Sequence, residues 1–486
     1  MHPMNTPSGG RARARWALVS VLSANMLVDA LEVSATLVAL PSVGSGLGLS
    51  VTRVQWLVSG FAAGFGGLLL FGGRLVERLG PRRVYLAALP VFAAASLAGA
   101  LTDSALLLTA TRVLKGFCVA LTAPTGLAII LSAVPEGAER RRAVSVYSFF
   151  GAAGFCSGLL LSGLLTGAGW RWTIAFPAPV ALLLLAAGLR LVPRDGDGPR
   201  RPLGRHPFVA GAALTGAVLL LVYALSRIAG PGVQWRYAAA ALAGAAALAA
   251  VLVRAERTAP RPLLRTELLR HEPLLRSALG AAALNGSYVG FLLVAALHLR
   301  GAGWSPWQTA LAFLPAGLPL ALSALHSGRI AARLGPARAV AAGAAAAPLG
   351  YALYPRGGGP VGHADLLPAT SFVGVAFVLA FTALHLQATG TVPPALQSAA
   401  GGLYQTCVQL GAALTTALTS ALYAAAGRGP ALWLVTGVGL AGACVALRGL
   451  LHPSAPPATP AGHLSHPAAA TTDGRGHPSA STRKAS

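Results

Sequence analysis

Apolar residues in this chain run in long blocks separated by short polar or basic punctuation. A bilayer core about 30 Å thick takes roughly 20 apolar residues per helical span. Fourteen blocks qualify: about 16–42, 54–73, 84–102, 105–131, 143–166, 172–192, 207–226, 237–253, 274–296, 307–326, 337–354, 365–388, 398–424 and 430–450. Several are rich in glycine and alanine, which lets helix backbones approach closely in lipid. The pattern predicts an all-α integral membrane protein with no soluble domain of consequence.

Composition agrees. At 55% hydrophobic and 10% charged residues, with mean hydropathy +0.65, an ordinary soluble protein is excluded. A net charge of +24 suggests a nucleic-acid partner until its placement is considered. With the N-terminus in the cytoplasm, 28 of the 37 Lys and Arg fall on inside segments and only Arg112 and Lys115 inside a span. That asymmetry orients a membrane protein with both termini cytoplasmic, and no nucleic acid is expected as a partner. Arg11, Arg13 and Arg15 precede a run too long for a signal-peptide core, so a retained first helix is expected. Cys118, Cys156, Cys407 and Cys444 each fall within a predicted span, with no metal-binding or disulfide spacing.

A repeat organises the blocks. Gly73-Arg-Leu-Val-Glu77-Arg78-Leu-Gly80-Pro-Arg82-Arg83 recurs as Gly328-Arg-Ile-Ala-Ala-Arg-Leu-Gly335-Pro-Ala-Arg338, each copy a basic, glycine-bounded turn expected between two apolar helices. Parallel repeats of this kind build one large class of secondary transporters. The copies follow the second and tenth spans, which places two extra spans between duplicated halves. The expected division is a cytoplasmic arm (1–15), a six-helix bundle (16–192), a linker with two inserted helices (193–273), a second six-helix bundle (274–450) and a disordered cytoplasmic tail (451–486). The tail histidines, His452, His463, His466 and His477, read as part of a solvated spacer, with weak metal binding as the alternative.

The first basic turn resembles the loop signature of the major facilitator superfamily, Gly-x-Leu-Ala-Asp-Arg-x-Gly-Arg-Lys. Within that superfamily, Leu31-Glu32-Val33-Ser34-Ala-Thr-Leu-Val38-Ala39-Leu40-Pro41 is similar to the first-helix motif of the fourteen-helix drug:proton antiporters, the EmrB/QacA type. Trp56, Arg112-Val-Leu-Lys115-Gly116, Trp170-Arg171-Trp172, Ser305-Pro306 with Phe313-Leu-Pro315, and Gln409-Leu-Gly411 fall at that family's places. The resemblance covers about residues 16–450. It implies the major facilitator fold with 14 transmembrane helices, two six-helix bundles plus two inserted helices. Lys115 stands where the family has Gln, and Leu159 where the span-five motif has proline.

Of 13 acidic residues, only Asp29 and Glu32 fall deep within a span. Three apart, they share a helix face, and charges at that depth normally face the bundle interior or a wet cavity. A carboxyl that gains and loses a proton as a cavity alternates between sides is what proton coupling needs. Glu32 is the expected proton site, with Asp29 as helper or substrate contact; a solvated Asp29 is the alternative. Arg112 and Lys115, also three apart, can neutralise the two acids, with Arg112 either holding Glu32 ionised until substrate displaces it or forming a static ion pair.

The first basic turn reads as a conformational gate. Gly73 and Gly80 permit the tight turn and close contact, and Glu77 can pair with arginines or with a neighbouring helix N-terminus, Arg78, Arg82 and Arg83 completing the gate; a purely topological loop is the alternative. Gly154, Gly158 and Gly163 read as helix packing before an antiporter-specific device. By analogy with the superfamily, the first, fourth, ninth and twelfth helices line a central cavity. Asn25, Asn285, Tyr288, His385 and Gln387 are the candidate substrate contacts there, or else interhelical hydrogen bonds.

No Gly-x-x-x-x-Gly-Lys-Ser/Thr, metal site or Ser/His/Asp arrangement points to an enzyme or a cofactor. A proton gradient is the expected energy source. The resulting expectation is a monomeric carrier in the cytoplasmic membrane exchanging small amphipathic, neutral or anionic compounds for protons. A nutrient importer is disfavoured because Val33 follows Asp29-Ala-Leu-Glu32 where proton-coupled peptide carriers have arginine. A non-transporting membrane sensor is the alternative from another class.

Overall fold

The computed structural model describes residues 9–195, 206–229, 234–259, 262–263, 265–355, 361–393 and 396–451. The histidine-containing tail, the expected disordered segment, lies outside them. Side chains at 323–337 are likewise outside the description.

The described residues form helices throughout: α1 (Gly9–Gly46), α2 (Val51–Val54), α3 (Trp56–Leu79), α4 (Pro81–Leu101), α5 (Ala105–Ala133), α6 (Ala138–Ala168), α7 (Trp170–Ala175), α8 (Pro177–Leu191), α9 (His206–Ile228), α10 (Trp235–Thr258), α11 (Thr266–Leu269), α12 (Glu272–Gly301), α13 (Pro306–Leu353) and α14 (His363–Ala376). A π-helical turn, Phe377–Phe381, joins α14 to α15 (Thr382–Gly390); α16 (Gln397–Ala426) and α17 (Arg428–Leu451) follow. Twelve helical stretches among the described residues are long and apolar enough to cross a membrane, and α13 is additional to them. Helix starts have local causes. Ser305 and Gln308 form a reciprocal capping box before Pro306, and Gly80 (φ +88°) turns the chain so that Pro81 opens α4.

The second copy of the basic turn departs from expectation. Helical backbone continues through 328–338 within the 48 residues of α13, rather than ending at a glycine-bounded turn. Alanine, the strongest helix former, stands at 331, 332 and 337 where the first copy has Val76, Glu77 and Arg82. Yet α13 is not straight. A Cβ at Gly374 would meet the carbonyls of Pro315 and Ala316, while Gly350 packs against Ala369 and Val373, and Gly343 against Ala376 and Ala380. Ala316 and Gly350, 34 residues apart (350 − 316), would be separated by about 50 Å along a straight helix. Both flank the same two turns of α14, so the chain reverses between Ala316 and Gly343.

The most extensive helix pairings recur. α1 packs along α6 as α12 packs along α16, α3 along α5 as α13 along α14, and α4 on α8 as α13 on α17. α9 and α10 pair with each other, and α9 rests on α3 and α16; a Cβ at Gly211 would touch Phe71. Trp172, Trp235, Trp307 and Trp433 are exposed. Each lies in the first two turns of a helix running from the face opposite the basic loops, as an interfacial belt requires. At that face Leu40, Val43, Val54, Leu57, Leu108 and Leu293 form one apolar cluster that joins α1, α2, α3, α5 and α12.

Candidate functional site

Residue number rises along α1 as it falls along α5, and polar side chains join the two helices. Glu32 receives Arg112 on one carboxylate oxygen and Lys115 Nζ on the other at 2.6 Å. All three are buried: 6% of the Glu32 side chain is exposed, 3% of Arg112 and 1% of Lys115. Arg112 Nε also donates to the Leu57 carbonyl at 2.9 Å, and its guanidinium lies 4.7 Å from the Phe61 ring centroid. The Lys115 ammonium lies 4.9 Å from the centroid of Phe92. Arginine's fork and lysine's compact charge thus act together, each with a π-face behind it.

Asp29 takes a different set of partners. Its Oδ2 accepts from Asn25 Nδ2 at 2.9 Å and from Thr122 Oγ1 at 2.8 Å, both neutral donors. Among the described residues no cation pairs with it. The four charges expected to neutralise one another therefore sort into a Glu32 triad and a separately held Asp29. Asn25, a candidate substrate contact, is turned to Asp29 instead.

A cavity of about 60 Å³ lies beside the triad, with Val33, Leu37, Phe61, Arg112, Asn285 and Gln409 among its walls. By water-sized measure that is room for a few waters. Three of the four expected helices, α1, α5 and α12, meet there; the twelfth span (365–388) supplies none of the walls, and α3 and α16 contribute instead. Asn285 Nδ2 donates to the Val408 carbonyl at 3.2 Å and Tyr288 Oη to Ala316 at 3.2 Å. His385 is exposed with its ring 5.0 Å from that of Tyr404, and Gln387 is half-buried.

The glycines of α6 set the height of α1. A Cβ at Gly154 would run into the Leu27 carbonyl, and one at Gly158 into Ser34 Oγ and the Leu31 backbone. Gly163 faces the start of α13, where a Cβ would be 2.6 Å from Ala310 Cβ. α6 is helical throughout, with Leu159 at the place of the family's proline. These contacts are packing, and they press the helix bearing Glu32 against its neighbour.

The basic turn departs from expectation at Gly73 and at the α4 N-terminus, while Glu77 pairs with an arginine as expected. Gly73 lies inside α3 with open space where a Cβ would be, so no close contact requires glycine there. Glu77 is exposed and pairs with Arg74 at 3.0 Å, one turn away; Arg74 also donates to the Pro262 carbonyl at 3.0 Å. The acid at the α4 N-terminus is Asp195, which accepts from the amides of Arg82 at 2.9 Å and Arg83 at 3.3 Å. Arg82 further donates to the Leu189 carbonyl at 2.9 Å. A carboxylate there satisfies orphan N–H groups and the positive end of the helix dipole. Gly80 is required twice over, since a Cβ on it would overlap the Asp195 carboxylate and its φ is positive. Asp195 has no local sequence signal, because only the tertiary fold brings it to the turn. Thr122 had one: it follows Lys115 by seven residues, two turns along the same face.

Residues 22–416 match the family model described as Major Facilitator Superfamily. The chain is 35% identical over 421 residues to the puromycin resistance protein pur8 of Streptomyces alboniger, spanning 84% of this chain and 82% of that one. It is 33% identical over 423 residues to the cephamycin export protein CmcT of Amycolatopsis lactamdurans (83% and 84%) and 31% identical over 401 residues to a lincomycin resistance protein of Streptomyces lincolnensis (80% and 78%). The solved nucleoside transporter NupG shares the fold at TM-score 0.60 and 14% identity, over 90% of this chain and 99% of that one. On the helical architecture, the paired packing and these matches, the chain belongs to the major facilitator superfamily.

Proposed function

We propose that this protein exports small amphipathic compounds in exchange for protons, with Asp29 as the carboxyl that takes up and releases the proton. One observation carries the assignment: Glu32 is clasped by two buried cations, whereas Asp29, one turn away on the same helix, is held only by neutral donors. Protonating Glu32 in place would strand two cations, and breaking a buried pair costs about 3–5 kcal/mol. Protonating Asp29 strands none. The weighting from sequence, with Glu32 as proton site and Asp29 as helper, is thereby reversed.

Arg112 connects the two ends of the exchange, because it pairs with Glu32 and also lines the cavity with Asn285 and Gln409. A substrate that draws Arg112 away weakens the clasp on Glu32 and alters the field at Asp29. The cationic wall favours neutral or anionic cargo. Resistance and export functions in the names of three relatives support efflux of antibiotics or related metabolites. The apolar cluster at the face opposite the basic loops fits a state closed to the outside. Alternating access needs only that such seals form and break in turn.

The remaining architecture belongs to the same reading. Fourteen spans are obtained if α13 supplies two, and the recurrent pairings support two six-helix bundles with α9 and α10 inserted. Basic loops on one face and exposed tryptophans toward the other support cytoplasmic termini in the cytoplasmic membrane. The protein works as a monomer without a cofactor, its energy drawn from the gradient at about 2.3 kcal/mol per charge per 100 mV. Everted vesicles with an imposed pH gradient test this directly, using a panel that begins with puromycin and lincomycin. Accumulation should collapse when the gradient is dissipated; no gradient-linked flux for any compound would point to a sensor instead.

A further inference from the structure

The cavity beside the triad meets α1 at Val33 and Leu37, and Asp29, one turn nearer the basic loops, is not among its walls. A proton exchanged at Asp29 therefore needs a path other than that cavity. Helix register supplies the groups around it. α4 and α5 run antiparallel: a Cβ at Gly99 would meet Thr111, and the Lys115 ammonium lies 4.9 Å from the Phe92 ring centroid. Seven residues nearer the basic loops than Lys115 and Phe92 come Thr122 and Tyr85. Seven residues are close to two turns, so each keeps the face of the residue above it. Thr122 donates to Asp29, and this register brings Tyr85 beside the same carboxyl. The Asp29 carboxylate acts electrostatically on the phenols of both Tyr85 and Tyr147.

Further hydroxyls lie in this layer. Tyr147 of α6 donates to the Ala123 carbonyl, next to Thr122, at 2.6 Å. Thr125 follows Thr122 by three residues on α5. On α1, Met26 packs where a Cβ at Gly151 would be; one turn nearer the basic loops, Leu22 and Tyr147 come level, with Ser23 adjacent. The hydroxyls of Tyr85, Thr125 and Ser23 are buried and have no hydrogen-bond partner among the described residues. Their surroundings are apolar, with Val19, Leu22, Val84, Ala88 and Ile129 in the same core. Phenylalanine at 85 would fill that core without burying an unpaired hydroxyl, which is costly; ordered water is the usual partner of such groups. Gly126 keeps side chains out of the layer, since a Cβ there would be 3.1 Å from the Tyr147 hydroxyl. Tyr85 lies four residues inside α4, whose first residue is Pro81, so the layer ends about 6 Å from the basic turn.

We propose that Tyr85 is the relay through which Asp29 exchanges its proton with the basic-loop side, inside the N-terminal bundle, with Thr125 and Ser23 holding the ordered water that continues the path. Asp29 hands its proton by way of bridging water to Tyr85 Oη, whose own hydroxyl proton passes on toward Thr125; Asp29 is left as the carboxylate and Tyr85 as the neutral phenol. Uptake is the reverse. The other titratable or charged groups about Asp29 are Cys118 and Lys115 of α5, Tyr147 of α6, and the Glu32–Arg112 pair one turn farther out. Both cations are engaged by Glu32, which leaves the hydroxyl side of Asp29 as the neutral route. The relay rests on the reading of Asp29 as the proton site.

The test is infrared difference spectroscopy of the full chain in lipid nanodiscs after a pH jump, with Asp29→Asn marking the Asp29 carboxyl band. Tyr85→Phe keeps the ring and removes the hydroxyl. It should move the C=O stretch of protonated Asp29 to higher frequency, as loss of a hydrogen bond does, and slow its appearance about three- to tenfold. Ser96→Ala removes another buried, unpartnered hydroxyl of α4, on the far side of Phe92, and should change neither reading. Tyr85 acting in packing alone would give a Tyr85→Phe protein with the wild-type band and rate, and that result would overturn the proposal. So would a wild type with no Asp29-dependent band, or a Ser96→Ala protein slowed as much as Tyr85→Phe. No substrate, gradient or turnover is used. A protein that behaves as expected here but shows no gradient-linked flux in vesicles would lose the efflux reading and keep the relay.

Discussion

Replacing Glu32 by glutamine leaves two cations buried without their counter-charge, and the structure allows the cost to be sized. The Glu32, Arg112 and Lys115 side chains are 6%, 3% and 1% exposed, so water cannot take over as partner in place. Removing one member of a buried ion pair costs about 3–5 kcal/mol, chiefly as the penalty of the charge left behind. Arg112 retains the Leu57 carbonyl and the Phe61 face, whereas the Lys115 ammonium retains only the Phe92 face among its described contacts. The larger share of the penalty should therefore fall on Lys115. Reversible unfolding in mixed micelles, run as a double-mutant cycle with Lys115→Met, measures this. Glu32→Gln alone should lose about 3–5 kcal/mol, and adding Lys115→Met should recover at least 1 to 2 kcal/mol of it. A Glu32→Gln protein as stable as wild type, or a cycle with no coupling, would refute the triad as described.

Three further outcomes follow from local packing and capping. Gly158→Ala should abolish folded transporter on size-exclusion chromatography, because the added methyl overlaps the α1 backbone at Leu31. Gly73→Ala, with nothing within 4 Å and a helical backbone, should be neutral or stabilising by up to about 1 kcal/mol. Asp195→Ala should cost about 0.5–2 kcal/mol as a lost helix cap. Hydrogen exchange should locate that loss at the amides of Arg82 and Arg83, and unchanged protection there would contradict the assigned role.

Much of the architecture was readable because membrane helices announce themselves: apolar length, basic loops and two membrane acids need no tertiary knowledge. Arg112 and Lys115 could be matched to Glu32 for the same reason, since buried charges seek one another. What escaped depended on register between helices. Spacing puts Thr122 on the face of Lys115, but only the antiparallel offset of α1 and α5 decides that it meets Asp29 while Glu32 meets both cations. Glu77 attracted the gating role by its place in a motif, yet Asp195, 118 residues on (195 − 77), reaches the α4 N-terminus. The second basic turn was expected to break the helix, but its alanines keep the backbone helical while the chain reverses.

Proton release on substrate addition to the purified protein, followed with a pH-sensitive dye in weak buffer, tests the central claim most directly. The wild type should release protons when a transported compound binds. Asp29→Asn should release none while still binding the compound, and Glu32→Gln, where it folds, should still release them. Unchanged release from Asp29→Asn would remove Asp29 from the proton site and contradict the account.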